Sequence, residues 1–358
     1  MPDESRAVTG GQLSLLGEQF HAIHNFDRLA PFFMTVVSSS DHWLFLSSTG
    51  GLTAGRVDAE SALFPYYTDD KIAENSENTG PKTILRVQGA PVPWEPFSAR
   101  QAGAYRLERN LYKSLGGDKV VFEERNLSLG LRWRYAWRFS ERYGVVRTAW
   151  LANEGSDTAA VEYLDGLQNL LPYGASTGLT GSTSNLLDAY KRSELHRESG
   201  LAIIALNATL SDRPEPSESL RATTAWSVGL TGATRLLSSE QVGAFRAGGG
   251  VREESDVRGR RGAYLLAGSL GLAPGEERAW SIAADVNQDL PAIEDRIAFL
   301  TRPAGEVEEA LQADIAATSR ELQAIVASAD GLQASADGAS AARHYANVLF
   351  NTMRGGAR

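Results

Sequence analysis

The 358-residue sequence contains no cysteine. Disulfides, thiolate-held zinc and a thiol nucleophile are all excluded by that single absence. Histidine is scarce at five residues, and methionine scarcer at three. No apolar run reaches the roughly 18 residues that a membrane-spanning helix requires. Positive charge is in deficit, with 35 Lys and Arg against 44 Asp and Glu and a formal charge of −9. Such a balance does not draw nucleic acid or an anionic bilayer to the protein. The opening Met1-Pro2-Asp3-Glu4-Ser5-Arg6 lacks the basic and apolar segments of a secretion signal, so a soluble, cytoplasmic protein is expected.

Several catalytic signatures are also missing. Gly50-Gly51-Leu52-Thr53-Ala54-Gly55 is glycine-rich, but Arg56-Val57 follows where a phosphate-binding loop needs Lys and then Ser or Thr. The segment reads instead as a hairpin turn after a strand at His42–Leu46. No Gly-x-Ser-x-Gly elbow accompanies the scattered histidines, which leaves a Ser-His-Asp triad without support. His21, His24 and Asp27 sketch a two-histidine, one-carboxylate site if the histidines share a helix face. Nothing fixes a third ligand, so local packing is the better reading and no metal or other cofactor is expected.

What the sequence has in quantity is two-residue periodicity. In Leu131–Phe139, Leu131, Trp133, Tyr135, Trp137 and Phe139 share one face, while Arg132, Arg134 and Arg138 share the other. One packed and one wet face is the pattern of an antiparallel strand. On this reading Trp133 and Trp137 are core, and the arginines lie on a solvated face or line an anion site. Further runs at Phe32–Val37, Ala104–Leu111, Lys119–Phe122, Val145–Leu151, Ala159–Leu164, Leu201–Leu206, Thr223–Val228, Ala263–Ala267 and Ala279–Ala283 predict more strands. Turn signals such as Gly116-Gly117-Asp118 and Asn153-Glu154-Gly155 punctuate them. The expected fold class is mainly β: a large antiparallel sandwich over about residues 30–285, then α-helices. Helices are predicted at Leu186–Glu198, at Leu290–Leu300, at Glu306–Asp330 with Gly331 as cap, and at Ala341–Met353. Ser238–Phe245 predicts a capped helical turn, and Arg252–Arg261 a mobile loop.

The candidate binding residues lie outside these runs. Pro65-Tyr66-Tyr67-Thr68-Asp69-Asp70 sets two aromatic rings beside two carboxylates. Rings cover the apolar faces of a pyranose and carboxylates accept from its hydroxyls, so the segment is a candidate for sugar contact. Trp94, in the Pro-rich Val92-Pro93-Trp94-Glu95-Pro96, and Arg56 complete the expected set of Arg56, Tyr66, Tyr67, Asp69, Asp70 and Trp94. Asp165, read as the end of a strand, is a carboxylate whose facing partner the sequence does not show. No catalytic residue is assigned.

A family resemblance rests on the order of elements more than on any one motif. Ser40-Asp41-His42-Trp43 with Gly50–Arg56, Tyr143–Arg147, Leu151-Ala152-Asn153 and Val161–Gly166 together resemble the N-terminal β-supersandwich of the cellobiose-phosphorylase-like glycoside phosphorylases. The resemblance implies a galactose-mutarotase-like sandwich, a helical linker and then an (α/α)6 barrel. It implies an N-terminal extension at 1–29, a sandwich at 30–300 and a linker leading into a helical domain at 301–358, with His344-Tyr345-Ala346-Asn347 on the barrel's first helix. In that family the general acid and the phosphate ligands come from the barrel, so this chain is expected to be an accessory piece, inactive alone. Its expected partners are an oligosaccharide or β-glucan, the downstream barrel and a second copy of itself. A free-standing mutarotase-like epimerase and a structural or interaction module without sugar binding are the alternatives.

Overall fold

The computed structural model describes residues 7–66, 69–100, 103–182, 184–208 and 220–328. Its strands begin with β1 (Thr9–Leu15), β2 (Glu18–His24), β3 (Phe33–Val36), β4 (His42–Ser47), β5 (Leu52–Arg56) and β6 (Gly80–Val87). The long central strands follow: β7 (Leu107–Ser114), β8 (Val120–Asn126), β9 (Leu131–Ser140), β10 (Gly144–Asn153) and β11 (Ala159–Leu170). Next are β12 (Lys191–His196), β13 (Leu201–Leu206), β14 (Ala222–Val228), β15 (Thr234–Leu236) and β16 (Asp256–Arg258). The last two are β17 (Gly262–Leu272) and β18 (Glu277–Gln288). The helices are α1 (Asp69–Glu74), α2 (Thr177–Ser182), α3 (Ser184–Tyr190), α4 (Val242–Arg246), α5 (Leu290–Leu300) and α6 (Ala304–Ser328). None is long and apolar enough to cross a membrane.

Every strand pairing is antiparallel, as short turns between consecutive runs demand. One sheet of eleven strands runs β1-β2-β7-β8-β9-β10-β18-β14-β13-β12-β16. Two smaller sheets, β15-β17-β11-β6 and β3-β4-β5, complete the sandwich. The core between them takes the alternate residues of β9 read from the sequence: Leu131, Trp133, Tyr135, Trp137 and Phe139 are all buried. They join Leu44 and Leu46 from the three-stranded sheet and Tyr163 and Leu167 from the four-stranded one. A buried ion pair spans the layers. Arg147 on β10 holds Asp165 on β11 with two 2.9 Å bonds, and Trp280 (2.7 Å) and Thr83 (2.8 Å) donate to the same carboxylate.

The outer face of the large sheet is divided. Tyr143, Val146, Trp226 and Ala283 pack against Ile293, Phe299, Val307 and Leu311 of α5 and α6, so the C-terminal helices cover one end of it. Arg138, expected on a solvated face, bonds Gln312 of α6 at 3.1 Å, and Ser140 donates to Asp314. Glu308, Glu309 and Glu321 face solvent.

The structure corrects four expectations. Residues 9–24 are not a bare extension but the edge hairpin β1–β2, because Phe20 and Ala22 alternate into the sheet and pair alongside β7. His21 and His24 therefore lie on a strand, three apart and on opposite faces, and not on one helix face. The helix predicted at Leu186–Glu198 stops at Tyr190, since Lys191, Ser193 and Leu195 alternate inward as β12 between β13 and β16. The segment Arg252–Arg261 contributes β16 and is fastened by Glu254, which accepts from Leu237 N and Ser238 N at 2.8 Å each. Gly331 and the helix Ala341–Met353, including His344, lie outside the described residues.

Candidate functional site

Beside the helices, the uncovered end of the outer face carries two transverse rows of polar side chains. Antiparallel register builds them. His24 on β2 faces Asn110 on β7, Asn110 faces Glu123 on β8, Glu123 faces Arg134 on β9, and Arg134 faces Trp150 on β10. In the next row Glu108 faces Arg125, and Arg125 faces Arg132. Residues at the same parity on adjacent strands point to one face, so both rows stand together.

The first row is a hydrogen-bonded chain centred on Glu123. Asn110 Nδ2 and the Tyr112 hydroxyl both donate to Oε1 at 2.8 Å, and Arg134 Nε donates to Oε2 at 2.5 Å. His24 Nδ1 lies 3.1 Å from Asn110 Oδ1. In the second row Arg125 bonds Glu108 (3.2 Å) and Glu154 (2.9 Å), while Arg132 bonds Glu154 and Glu277 at 2.9 Å each. The cleft above them has a volume of about 430 Å³. The Tyr112 ring lines the cleft, and Trp150, half-buried, packs with it beside Phe20 and Ala22.

The electrostatics fix the protons. Burial pushes the Glu123 carboxyl up, but the Arg134 charge and the bonds from Asn110, Tyr112 and Arg134 outweigh it and hold the carboxyl below its ordinary range. Burial, reinforced by the Glu123 charge, pushes the Tyr112 phenol well above its own. At neutral pH Glu123 is thus an acceptor and Tyr112 a donor. A glycosidase acid requires the reverse, a carboxyl held protonated by a raised pKa. The arrangement is suited to holding hydroxyl groups and not to delivering a proton from Glu123.

Of the sequence-predicted residues, the structure places Arg56, Tyr66 and Trp94 outside this cleft. Arg56 ties the sandwich together, its Nε bonding Asp41 at 2.8 Å and its Nη1 bonding the buried Asp285 at 3.0 Å. Tyr66 is exposed on the three-stranded sheet, 5.6 Å edge-on from Trp43. Trp94 is corrected outright: it is 1% exposed and donates its indole N–H to Glu124 at 2.6 Å. The Pro-rich loop lies as an extra strand segment, bonding Leu85 through both backbone groups, which turns the ring inward and leaves it no face for a ligand. Tyr67 lies outside the described residues, and Asp69 and Asp70 open α1. Asp165 sits mid-strand, its carboxylate consumed by Arg147.

Two further motifs resolve without chemistry. The Gly50–Gly55 segment is the hairpin β4–β5, as read. Ser40 Oγ lies 2.8 Å from His42 Nδ1, and His42 Nε2 lies 3.4 Å from Asp285, a triad-like alignment. The imidazole is buried against Phe139, and Asp285 already serves Arg56 and Gln288, so the chain reads as a structural link. Among the described residues no group of three or more His, Asp or Glu is placed to hold a metal ion.

Fold and face together define a mainly β protein, a large antiparallel sandwich with helices and a polar cleft on the outer side of its main sheet. No family model and no curated protein matches the chain. Among solved structures it is similar to a protein from human microbiome assigned as a kojibiose phosphorylase: 10% identity, 68% of this chain, 26% of the other, TM-score 0.39. It is also similar to a bacterial glucoamylase complexed with acarbose: 9% identity, 82% of this chain, 38% of the other, TM-score 0.36. A protein of Escherichia coli K12 assigned as an aldose 1-epimerase is matched over its whole length: 14% identity, 73% of this chain, TM-score 0.35. The chain thus spans well under half of the phosphorylase and of the glucoamylase.

Proposed function

We propose that this chain is a saccharide-binding sandwich, an accessory domain of a carbohydrate-active enzyme that contributes binding and not bond cleavage. The observation that carries the reading is the outer-face cleft, where Glu123, Arg134, Asn110 and Tyr112 form one preorganised chain of donors and acceptors and the Tyr112 ring supplies an aromatic surface. Fixed charges of both signs, already paired, suit a neutral hydroxyl-rich ligand, and an aromatic wall suits the apolar face of a sugar ring. The ligand class is an oligosaccharide such as a β-glucan. A linker leading into a helical barrel beyond 301, a cytoplasmic location and self-association belong to the same proposal.

Titration calorimetry with a panel of gluco-oligosaccharides tests it. Binding is expected in the purified chain, weakened roughly tenfold or more by Glu123→Gln or Arg134→Gln, since a charge-assisted bond is worth on the order of 1–3 kcal/mol. Oligosaccharide binding that both variants retain at full strength sinks the assignment to this face. Catalysed interconversion of aldose anomers would favour the epimerase reading instead.

A further inference from the structure

A second cavity, on the opposite face of the large sheet from the outer rows, opens where the three-stranded sheet meets the inner face of β7. It has a volume of about 260 Å³ and lies between the 3₁₀ turn Phe26–Arg28, the β4–β5 turn, the end of α1 and the loop through Phe97. Phe26, Phe97, Leu29 and Ala73 give it apolar walls, and Ser48, Ser76 and Arg109 give it polar ones. Phe97 holds a left-handed backbone (φ 65°), fastened by its N–H to Glu124 Oε2 at 2.8 Å. For a bulky residue that conformation is costly and persists only where the surroundings impose it.

A smaller space of about 30 Å³ adjoins it, the two sharing Thr49, Ser76, Glu77 and Phe97 as lining. Tyr135 ends there. It is 2% exposed, its hydroxyl stands next to Gly50, and no described residue hydrogen-bonds that hydroxyl. A phenol that faces such a space can donate to water or to a ligand there. Arg109 has capacity to spare as well. Its Nε bonds Glu124 at 2.6 Å and its Nη2 reaches Ser98 O at 3.4 Å, while no described residue takes its Nη1.

We propose that this cavity binds one neutral hexopyranose, its ring between Phe97 and Ala73 and its hydroxymethyl arm reaching the Tyr135 hydroxyl. The volume lies just below the ~300 Å³ at which small-molecule clefts usually begin, which suits one sugar ring and not a chain. Charge selects the class. Glu77 is already paired with Lys82 and Arg100 and Arg109 with Glu124, so the wall offers balanced charge, and a neutral polyol can accept from Arg109 while donating to Glu77. Glu77 remains ionised for this purpose. Burial opposes its charge, but bonds from Ser98, Lys82 and Arg100 win and bring its pKa down to about 2.

Calorimetry on the full chain with D-glucose, D-xylose and D-glucuronate tests the proposal. Millimolar binding of glucose is expected, several-fold weaker for xylose, which lacks the arm, and weaker again for the anionic glucuronate. Ala99→Trp, at an exposed position on the rim, is expected to abolish binding without loss of folding. Tyr135→Phe is expected to bring glucose down to the xylose level. No glucose binding at 100 mM overturns the proposal. Binding that survives Ala99→Trp overturns it too, by placing the sugar elsewhere on the chain. Equal affinity for glucose and xylose overturns the placement of the arm.

Discussion

Arg147 and Asp165 show how strongly a single pair of side chains can constrain this sandwich. Both are fully buried, and the guanidinium lies over the Tyr135 ring at 4.9 Å and the Trp133 ring at 5.7 Å. Removing one charge strands the other in a low-dielectric core, whereas replacing both with apolar residues of similar volume does not. Arg147→Met alone is therefore expected to cost about 3–5 kcal/mol. Adding Asp165→Leu is expected to restore much of that loss, and chemical denaturation of the three variants measures it. Glu77 provides a pH test at the same scale. Its folded pKa, about 2, is depressed from 4.5, so its contribution to stability is complete above pH 4.5 and fades as the pH falls toward 2. Glu77→Gln should lower Tm at pH 6 and flatten the dependence of Tm on pH between 4.5 and 2. A thermal melt series that keeps its wild-type slope in that window contradicts the assignment. Gly144 makes a steric test, because its φ is +90° and an added Cβ would stand 2.3 Å from Ala284 O. Gly144→Ala should destabilise the β9–β10 hairpin by more than the ~1 kcal/mol at which ordinary glycine substitutions are valued.

At the scale of elements, α5 and α6 act as a cover for one end of the large sheet. Their inward residues Ile293, Phe299, Val307, Leu311 and Ile315 complete a cluster with Trp226 and Tyr143, and the Phe299 ring stacks on Tyr143 at 4.9 Å. The Asp289 side chain caps α5 by accepting from Ala292 N, which fixes the angle at which the helix leaves β18. Leu311→Ala, at a fully buried position, should cost about 2–5 kcal/mol. Because Trp226 and Val146 then gain a less well-filled neighbour, the variant should also bind a hydrophobic dye more strongly than wild type. Unchanged stability would mean that the helix does not rest on the sheet in solution. The helical periodicity of these segments was legible directly, since an apolar stripe at 3.6 residues has no other local use. The hairpin β1–β2 was not legible: Thr9–Leu15 contains two glycines and little apolar alternation, and it becomes a strand through β2, which pairs in turn with β7.

Across the whole molecule, the large sheet separates two kinds of surface. Its inner face is largely apolar, with Arg147 and Glu124 each held in a buried ion pair, and continuous with both smaller sheets, while its outer face is half covered by helices and half lined with paired charges. A saccharide that enters the outer cleft meets Glu123 as an anion and Tyr112 as a phenol. The purified chain is accordingly expected to release no sugar and no sugar phosphate from a β-glucan. Release that disappears in Glu123→Gln would show that the cleft performs chemistry and would refute the accessory role.

Alternation along β9 was decided locally. L-residues in an extended chain place successive side chains on opposite faces, so the aromatic positions from Trp133 to Phe139 declared a buried face before any partner strand was known. Turns at Gly116-Gly117 and Tyr143-Gly144, and the stripes of α5 and α6, are local in the same sense. The partners of Arg132 and Arg134 are not. Glu123 and Glu277 lie 11 and 145 residues away, and only strand order and register set them opposite the arginines. Trp94 belongs to the same class, since Pro93 and Pro96 marked a loop but only pairing with Leu85 turned the ring toward Glu124. Side-chain parity follows from backbone geometry within a strand and is written in the sequence, whereas the meeting of charges follows from long-range pairing and exists only once the sheet has formed.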